Sequence, residues 1–145
     1  MKNRTDIDRL HDEIKELVDD LWHLPRFAGA HRGFRPQADC IRCEDPPELR
    51  VIVELPGVDP ATIKVVAADR VLVVAGERHR PKVSGRYRQL EIEYGPFQRR
   101  IPLDEPVDAS AASARYEQGM LVVSLPIAAQ APQTERIAIV IRGRA

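Results

Sequence analysis

The chain is short of most residues that small proteins use for covalent, catalytic or nucleic-acid chemistry. It has 2 cysteines in 145 residues, too few for the disulfide framework of a small secreted domain. It has one Trp, three Tyr and three Phe. Only Tyr87 lies in the most basic stretch, Arg78 to Arg88. That stretch therefore reads as a solvated loop rather than a stacking surface for RNA. There is no net charge: 22 Lys and Arg face 22 Asp and Glu, which argues against a dedicated DNA binder. The longest apolar runs, such as Val71 to Ala75 and Leu121 to Val123, fall far short of a membrane span. An acidic amphipathic stretch, not an apolar one, follows Met1 to Arg9, so no signal peptide is read. The expectation is a soluble, cytoplasmic protein with neither nucleic acid nor membrane as partner.

Motifs for catalysis are also missing. No phosphate loop, dinucleotide-binding glycine fingerprint, nucleophile elbow or HExxH is present. Nothing around Ser84, Ser110, Ser113 or Ser124 would activate a hydroxyl. Cys40-Ile41-Arg42-Cys43 is a lone CxxC, without the second pair that zinc needs. Asp39, Glu44 and Asp45 flank it and disfavour a thiolate. The pair reads as ordinary strand residues, with a stress-responsive disulfide as the alternative. No enzyme activity, cofactor or metal is expected.

What is present is patterning. Met1 to Pro25 holds 4 basic and 7 acidic residues, and Ala61 to Gln89 holds 7 basic and 2 acidic. The neutral total is thus a sum of opposed patches that can meet on neighbouring copies. Ile7, Leu10, Ile14, Leu17, Leu21 and Leu24 are spaced 3, 4, 3, 4, 3, with Val18 and Trp22 widening the stripe. That period predicts an amphipathic helix, capped by Thr5 and Asp8 and stopped by Pro25. Its apolar side must pack on its own domain, a partner helix or a client. Phe27 to Pro36 is rich in Gly and Arg and reads as a flexible linker.

From Ala38 to Ile127 the period is that of strands: Leu49 to Leu55, Ile63 to Ala67, Val71 to Ala75, Tyr87 to Glu93, Phe97 to Leu103, Ala114 to Glu117 and Leu121 to Leu125. Turn residues bound each, and no crossover helix separates them, so the fold class is all-β, an antiparallel immunoglobulin-like sandwich. After a linker at Ala128 to Glu135, Ile137, Ile139 and Ile141 alternate onto one face. Such a strand pairs with an open edge of its own domain or is captured by another copy.

Leu55-Pro56-Gly57-Val58, Val71-Leu72-Val73-Val74-Ala75-Gly76-Glu77-Arg78, Tyr94-Gly95-Pro96-Phe97-Gln98-Arg99-Arg100 and Ala114-Arg115-Tyr116-Glu117-Gln118-Gly119-Met120-Leu121 follow one another in order. Together they resemble the α-crystallin domain of bacterial small heat-shock proteins. The last element resembles the family signature A-x-x-x-(N/Q)-G-x-L, with Gln118 and Met120 where Asn and Val are usual, and Ile137-Ala138-Ile139 resembles the I-x-I anchor.

The resemblance implies an ATP-independent holdase that binds unfolding proteins, built as a homodimer that forms higher oligomers. It divides the chain into a helix and arm at 1–36, a sandwich at 37–127 and an extension at 128–145. The client surface would be Ile7, Leu10, Ile14, Leu17, Leu21, Trp22, Phe27 and Phe34. A swapped segment with Tyr87, Leu90, Glu91, Ile92 and Glu93, together with Arg99, would make the dimer interface. Ile137, Ile139 and Ile141 would anchor the tail in a groove of another dimer, lined by Val71, Val73, Leu121, Val123 and Leu125. The nearest alternatives are a monomeric adaptor co-chaperone of similar sandwich fold and a CxxC thiol-redox protein.

Overall fold

The computed structural model describes residues 34–128 and 134–142. In chain order the strands are β1 (Ala38–Glu44), β2 (Pro47–Glu54), β3 (Lys64–Ala68), β4 (Val71–Arg78), β5 (Gly95–Pro102), β6 (Ser113–Glu117), β7 (Met120–Pro126), β8 (Thr134–Arg136) and β9 (Ile139–Ile141). They form a five-stranded sheet of order β1-β2-β7-β6-β9 and a four-stranded sheet of order β5-β4-β3-β8. Every pairing is antiparallel except that of β6 with β9. This is the expected sandwich. Among the described residues no helix is long and apolar enough to cross a membrane. The helix expected at Ile7 to Leu24 lies outside the described residues.

The two-residue period fills the space between the sheets. Leu49, Val51 and Val53 of β2 stand opposite Leu125, Val123 and Leu121 of β7. All six are buried, and they meet Val65, Ala67, Leu72, Val74, Phe97 and Ile101 from the other sheet in one cluster. The apolar alternation that marks these strands is thus the inner face of each sheet.

Two glycines tie the sandwich together. Gln118 and Gly119 turn β6 into β7 with φ of 52° and 79°, the left-handed pair that a two-residue hairpin requires. A Cβ on Gly119 would stand 3.1 Å from the Pro56 Cα. The Leu55 N–H donates to the Gly119 carbonyl at 2.7 Å, and the Tyr116 hydroxyl donates to the Leu55 carbonyl at 2.6 Å. The Leu-Pro-Gly turn and the Tyr-Glu-Gln-Gly turn are therefore one packed unit, although about 60 residues separate them. At Gly76, a Cβ would stand 2.9 Å from the Cζ of the Phe97 ring, so the ring packs closely against bare backbone.

Two sequence expectations need correction. Tyr87 to Glu93 is not a strand within the chain: β4 pairs directly with β5 from Val71↔Pro102 to Arg78↔Gly95, and the segment between them has no strand beside it. The expected groove between β4 and β7 does not exist either. Each of those strands is flanked on both sides within its sheet, and Val73, Leu121, Val123 and Leu125 are fully inaccessible. Val71 is half-buried at the start of β4.

Cys40 and Cys43 are free and lie on β1. Cys40 stands opposite the inward Val51 and Cys43 opposite Glu48, so their side chains leave opposite faces of the strand. Three residues of extended chain separate their Cα atoms by roughly 10 Å, beyond the ~7 Å a disulfide spans. Burial, with the Asp104 carboxylate nearby, pushes the Cys40 thiol above its ordinary value, which suppresses the reactive thiolate.

Candidate functional site

The sandwich has one side where both sheets would end in an open edge, β3 in one and β6 in the other. The tail closes it. β8 runs antiparallel to β3, with Val66↔Arg136, Ala67↔Glu135 and Ala68↔Thr134. The chain then crosses to the other sheet, and β9 adds parallel to β6 with Ala114↔Ile139, Arg115↔Val140 and Tyr116↔Ile141. At the crossing, the Ile137 N–H donates to the Val65 carbonyl at 3.0 Å, and beyond it the Arg142 N–H donates to the Tyr116 carbonyl at 3.1 Å. One short segment thus satisfies edge groups of both sheets.

The isoleucines are not equivalent. Ile137 is 8% exposed and belongs to the core cluster, Ile139 packs half-buried against it, and Ile141 is 55% exposed. The register is therefore Ile137 and Ile139 inward. The receiving groove is built from β3 and β6, and within the chain it is filled by the chain's own tail. Beside the tail lies a cleft of about 400 Å³, lined by Pro60, Ala61, Ile63 and Lys64 together with Ile139 and Ile141 of the tail. Asp59 caps the short turn that carries Pro60, its carboxylate accepting the Ala61 N–H.

The second feature is the loop from His79 to Tyr94. Tyr87, Leu90 and Ile92 are large apolar side chains exposed to solvent, as is Val83. Glu91 and Glu93 are exposed beside them. The loop's base is held by Arg78, a residue that sequence reasoning passed over because it ends an apolar strand within a basic run. Arg78 is almost wholly buried. Its Nε donates to the Glu93 carbonyl at 2.9 Å and its Nη1 to the Pro56 carbonyl at 3.2 Å, with Nη2 also directed at Glu93. The guanidinium lies 3.6 Å from the centre of the Phe34 ring and 5.4 Å from that of Tyr94.

Phe34 in turn meets Phe97 edge to face at 5.6 Å. It is a packed anchor for the arm, not part of a free apolar patch, because its ring fills the space between Arg78 and Phe97. The other expected client contacts, Ile7, Leu10, Ile14, Leu17, Leu21, Trp22 and Phe27, lie outside the described residues.

Arg99 projects from β5 opposite Val74. It is half-buried, its Nε has no hydrogen-bond partner among the described residues, and no ion pair there joins it to Glu91 or Glu93. The far edge of the molecule is β1, last in the five-stranded sheet. Arg42 braces that edge: its guanidinium grips the Glu105 carboxylate with two bonds, Nε at 2.6 Å and Nη2 at 3.3 Å, and Nη1 reaches Glu44 at 2.5 Å. The Arg42 bonds hold the Glu105 carboxyl below its ordinary value, and the same bonds raise Arg42 above its own. Among the described residues no group of three His, Cys, Asp or Glu could hold a metal ion.

Known proteins resemble this chain in sequence and fold. The Hsp20/alpha crystallin family profile matches residues 42–142. A 19.0 kDa class II heat shock protein of Oryza sativa is 38% identical over 85 residues, covering 53% of this chain and 49% of the rice protein, so the chain spans about half the length of that relative. Small heat shock protein C2 of Rickettsia felis is 24% identical over 128 residues, covering 87% of this chain and 80% of its own. Among solved structures, heat shock protein 16.0 from Schizosaccharomyces pombe superposes with a TM-score of 0.61 at 25% identity, over 83% of this chain and 87% of that one. A small heat-shock protein from Xylella fastidiosa superposes at 0.56 with 32% identity, over 68% and 91%. The signature turn at Gln118-Gly119, the Ile137-Ile139 tail and this match over most of the sequence lead to one assignment: the chain belongs to the Hsp20/alpha crystallin family.

Proposed function

We propose that this protein is an ATP-independent holdase chaperone of the cytoplasm, which captures unfolding proteins before they aggregate and works as a dimer-based oligomer. The observation that supports this reading best is the tail. It is a short segment whose two strands close two sheet edges, with one deeply buried isoleucine and one half-buried one. Burying a whole Ile side chain contributes about 1.5 to 3 kcal/mol before ordering costs, so a single tail docks reversibly. Exchanged between neighbours through its linker, such a tail joins dimers weakly one at a time and firmly in number.

Dimer formation follows from the loop and the opposite edge. Leu90 and Ile92 with Glu91 and Glu93 have the alternation of a strand that lacks a neighbour, and β1 of a second copy offers an open edge. Strand addition there would bury Tyr87, Leu90 and Ile92. Arg99, with an unpaired Nε in a half-buried site, is suited to take a partner carboxylate. The client surface is assigned to the apolar stripe from Ile7 to Trp22 with Phe27, since apolar area that is hidden at rest and released cheaply is what a holdase needs.

The test is light scattering from a heated model client with no nucleotide present. The protein should suppress the signal near stoichiometric subunit ratios, and a chain lacking residues 1–33 should lose protection of large clients. Full protection by the truncated chain would refute the assignment of the stripe. Size-exclusion chromatography separates this reading from a monomeric adaptor.

A further inference from the structure

The four-stranded sheet has two apolar faces, and only one of them makes the sandwich core. Val65, Ala67, Leu72 and Val74 face the other sheet and lie in the core cluster. Val66, Ala68, Val73 and Ala75 alternate with them along β3 and β4 and so lie on the outer face, with Val66 directly opposite Val73. These four are at most 2% exposed, yet none belongs to the core cluster. Their neighbours on that face are no lid: Lys64, Arg100 and Arg136 are exposed and Gln98 is half-buried. A sheet face turned to water leaves valines on its middle strands partly accessible. This face is covered.

Charge and length select what covers it. The rim holds three basic side chains, Lys64, Arg100 and Arg136, around an apolar centre, against one acidic one, Glu77, beyond Ala75 at the end of β4. Outside the described residues the chain has 1–33, 129–133 and 143–145, and only the first carries a long apolar stripe. That stripe belongs to a segment with 7 acidic and 4 basic residues. A helix from Ile7 to Leu24 is about 26 Å long, and β4 with its eight residues runs about 26 Å. The arm enters the domain at Phe34, against Arg78 at the C-terminal end of β4. The nine residues from Pro25 to Gly33 reach up to about 30 Å from there.

We propose that the amphipathic helix of residues 7–24 docks on the outer face of the four-stranded sheet of its own chain. Its apolar stripe rests on Val66, Val73 and Ala75, and its acidic flanks face Lys64, Arg100 and Arg136. This deepens the reading of the stripe as client surface: undocking uncovers two apolar faces together, the helix and the sheet beneath it. The docking itself is tested without any client.

Two measurements on the full chain test it. A benzophenone amino acid at Gln98, on the rim, is irradiated in an assembly mixed from light and isotopically heavy protein. Cross-links to residues 7–24 within single-isotope pairs support the proposal; cross-links to 134–142, mixed-isotope pairs, or no product on 7–24 overturn it. The second readout is acrylamide quenching of Trp22, the only tryptophan. The double reversal Lys64→Glu with Arg100→Glu leaves the core untouched and should raise quenching several-fold while the thermal unfolding of the sandwich stays put. Unchanged quenching would overturn the docking. The same variant should capture a client faster; if quenching rises and capture does not, docking stands and the stripe is not the client surface.

Discussion

Replacing Ile137 by Ala tests the tail geometry with a built-in comparison. Ile137 is 8% exposed and Ile141 is 55% exposed, although both belong to the same short tail segment. The Ala substitution removes three carbon groups. At about 0.8 kcal/mol per buried group the loss is about 2.4 kcal/mol at Ile137, some 50-fold in the docking equilibrium. At Ile141 about half the side chain is in water already, and the loss is about 1 kcal/mol, or about 5-fold.

Hydrogen exchange of the tail reads this directly, because the amides of Ile137 and Arg142 are protected only while they donate to Val65 and Tyr116. Exchange of those amides should accelerate about ten times more in Ile137→Ala than in Ile141→Ala, with β2 and β7 unaffected. Equal effects, or a larger one at Ile141, would refute the register with Ile137 and Ile139 inward. Unaltered exchange in both would refute the docked tail altogether.

Other outcomes follow from the same geometry. Gly119→Ala places a Cβ 3.1 Å from Pro56 at a φ of 79°, which should destabilise by about 1 to 3 kcal/mol. Gly57→Ala has a similar φ, but its Cβ would meet only the Arg78 Cδ at 3.7 Å, an ordinary contact, and calorimetry should show a clearly smaller fall in Tm. Arg78→Lys keeps the charge but loses the fork that joins Glu93, Pro56 and Phe34; amide exchange should rise at residues 93–95 with little change at the β6–β7 turn, and no rise would dismiss the latch. Arg42→Ala removes the bonds that keep the Glu105 carboxyl low. Because that folded-state value is depressed, the contribution to stability is present above the ordinary carboxylate range and is lost as pH falls through the folded value. The acid-side slope of stability should therefore flatten in Arg42→Ala, and the Glu105 carboxyl followed by NMR should titrate at higher pH than in the parent.

The strands that pack core on both sheets were legible because burial imposes a two-residue period. Leu49, Val51 and Val53, or Leu121, Val123 and Leu125, are apolar at every second position whatever lies between them. β1 was less legible: an edge strand buries little, and Asp39, Ile41 and Arg42 give no alternation. The groove was misplaced for a related reason. Apolar content marks a strand as buried but does not say which strands are neighbours, and the most apolar ones, β4 and β7, are interior strands with no edge to offer. The receiving edges, β3 and β6, are short and carry Lys64, Ser113 and Arg115.

Arg78 was invisible because its role depends on Pro56, Glu93 and Phe34, which only the fold brings together. Tyr87 to Glu93 has the alternation of a strand but no neighbour within the chain, and alternation alone does not make a strand without one. The signature around Gln118 and Gly119 was recognisable as a motif, and its physical content is the contact with Pro56.

The central claim is that this chain captures unfolding proteins without nucleotide, through apolar surface freed from its own assembly. The most direct measurement is turbidity of a heat-labile client at rising ratios of this protein, in buffer free of ATP, with the complexes then sized by chromatography. Turbidity should be abolished, and client and chaperone should elute together in soluble particles. A client that aggregates unchanged, or stays soluble only when ATP is added, would contradict that claim.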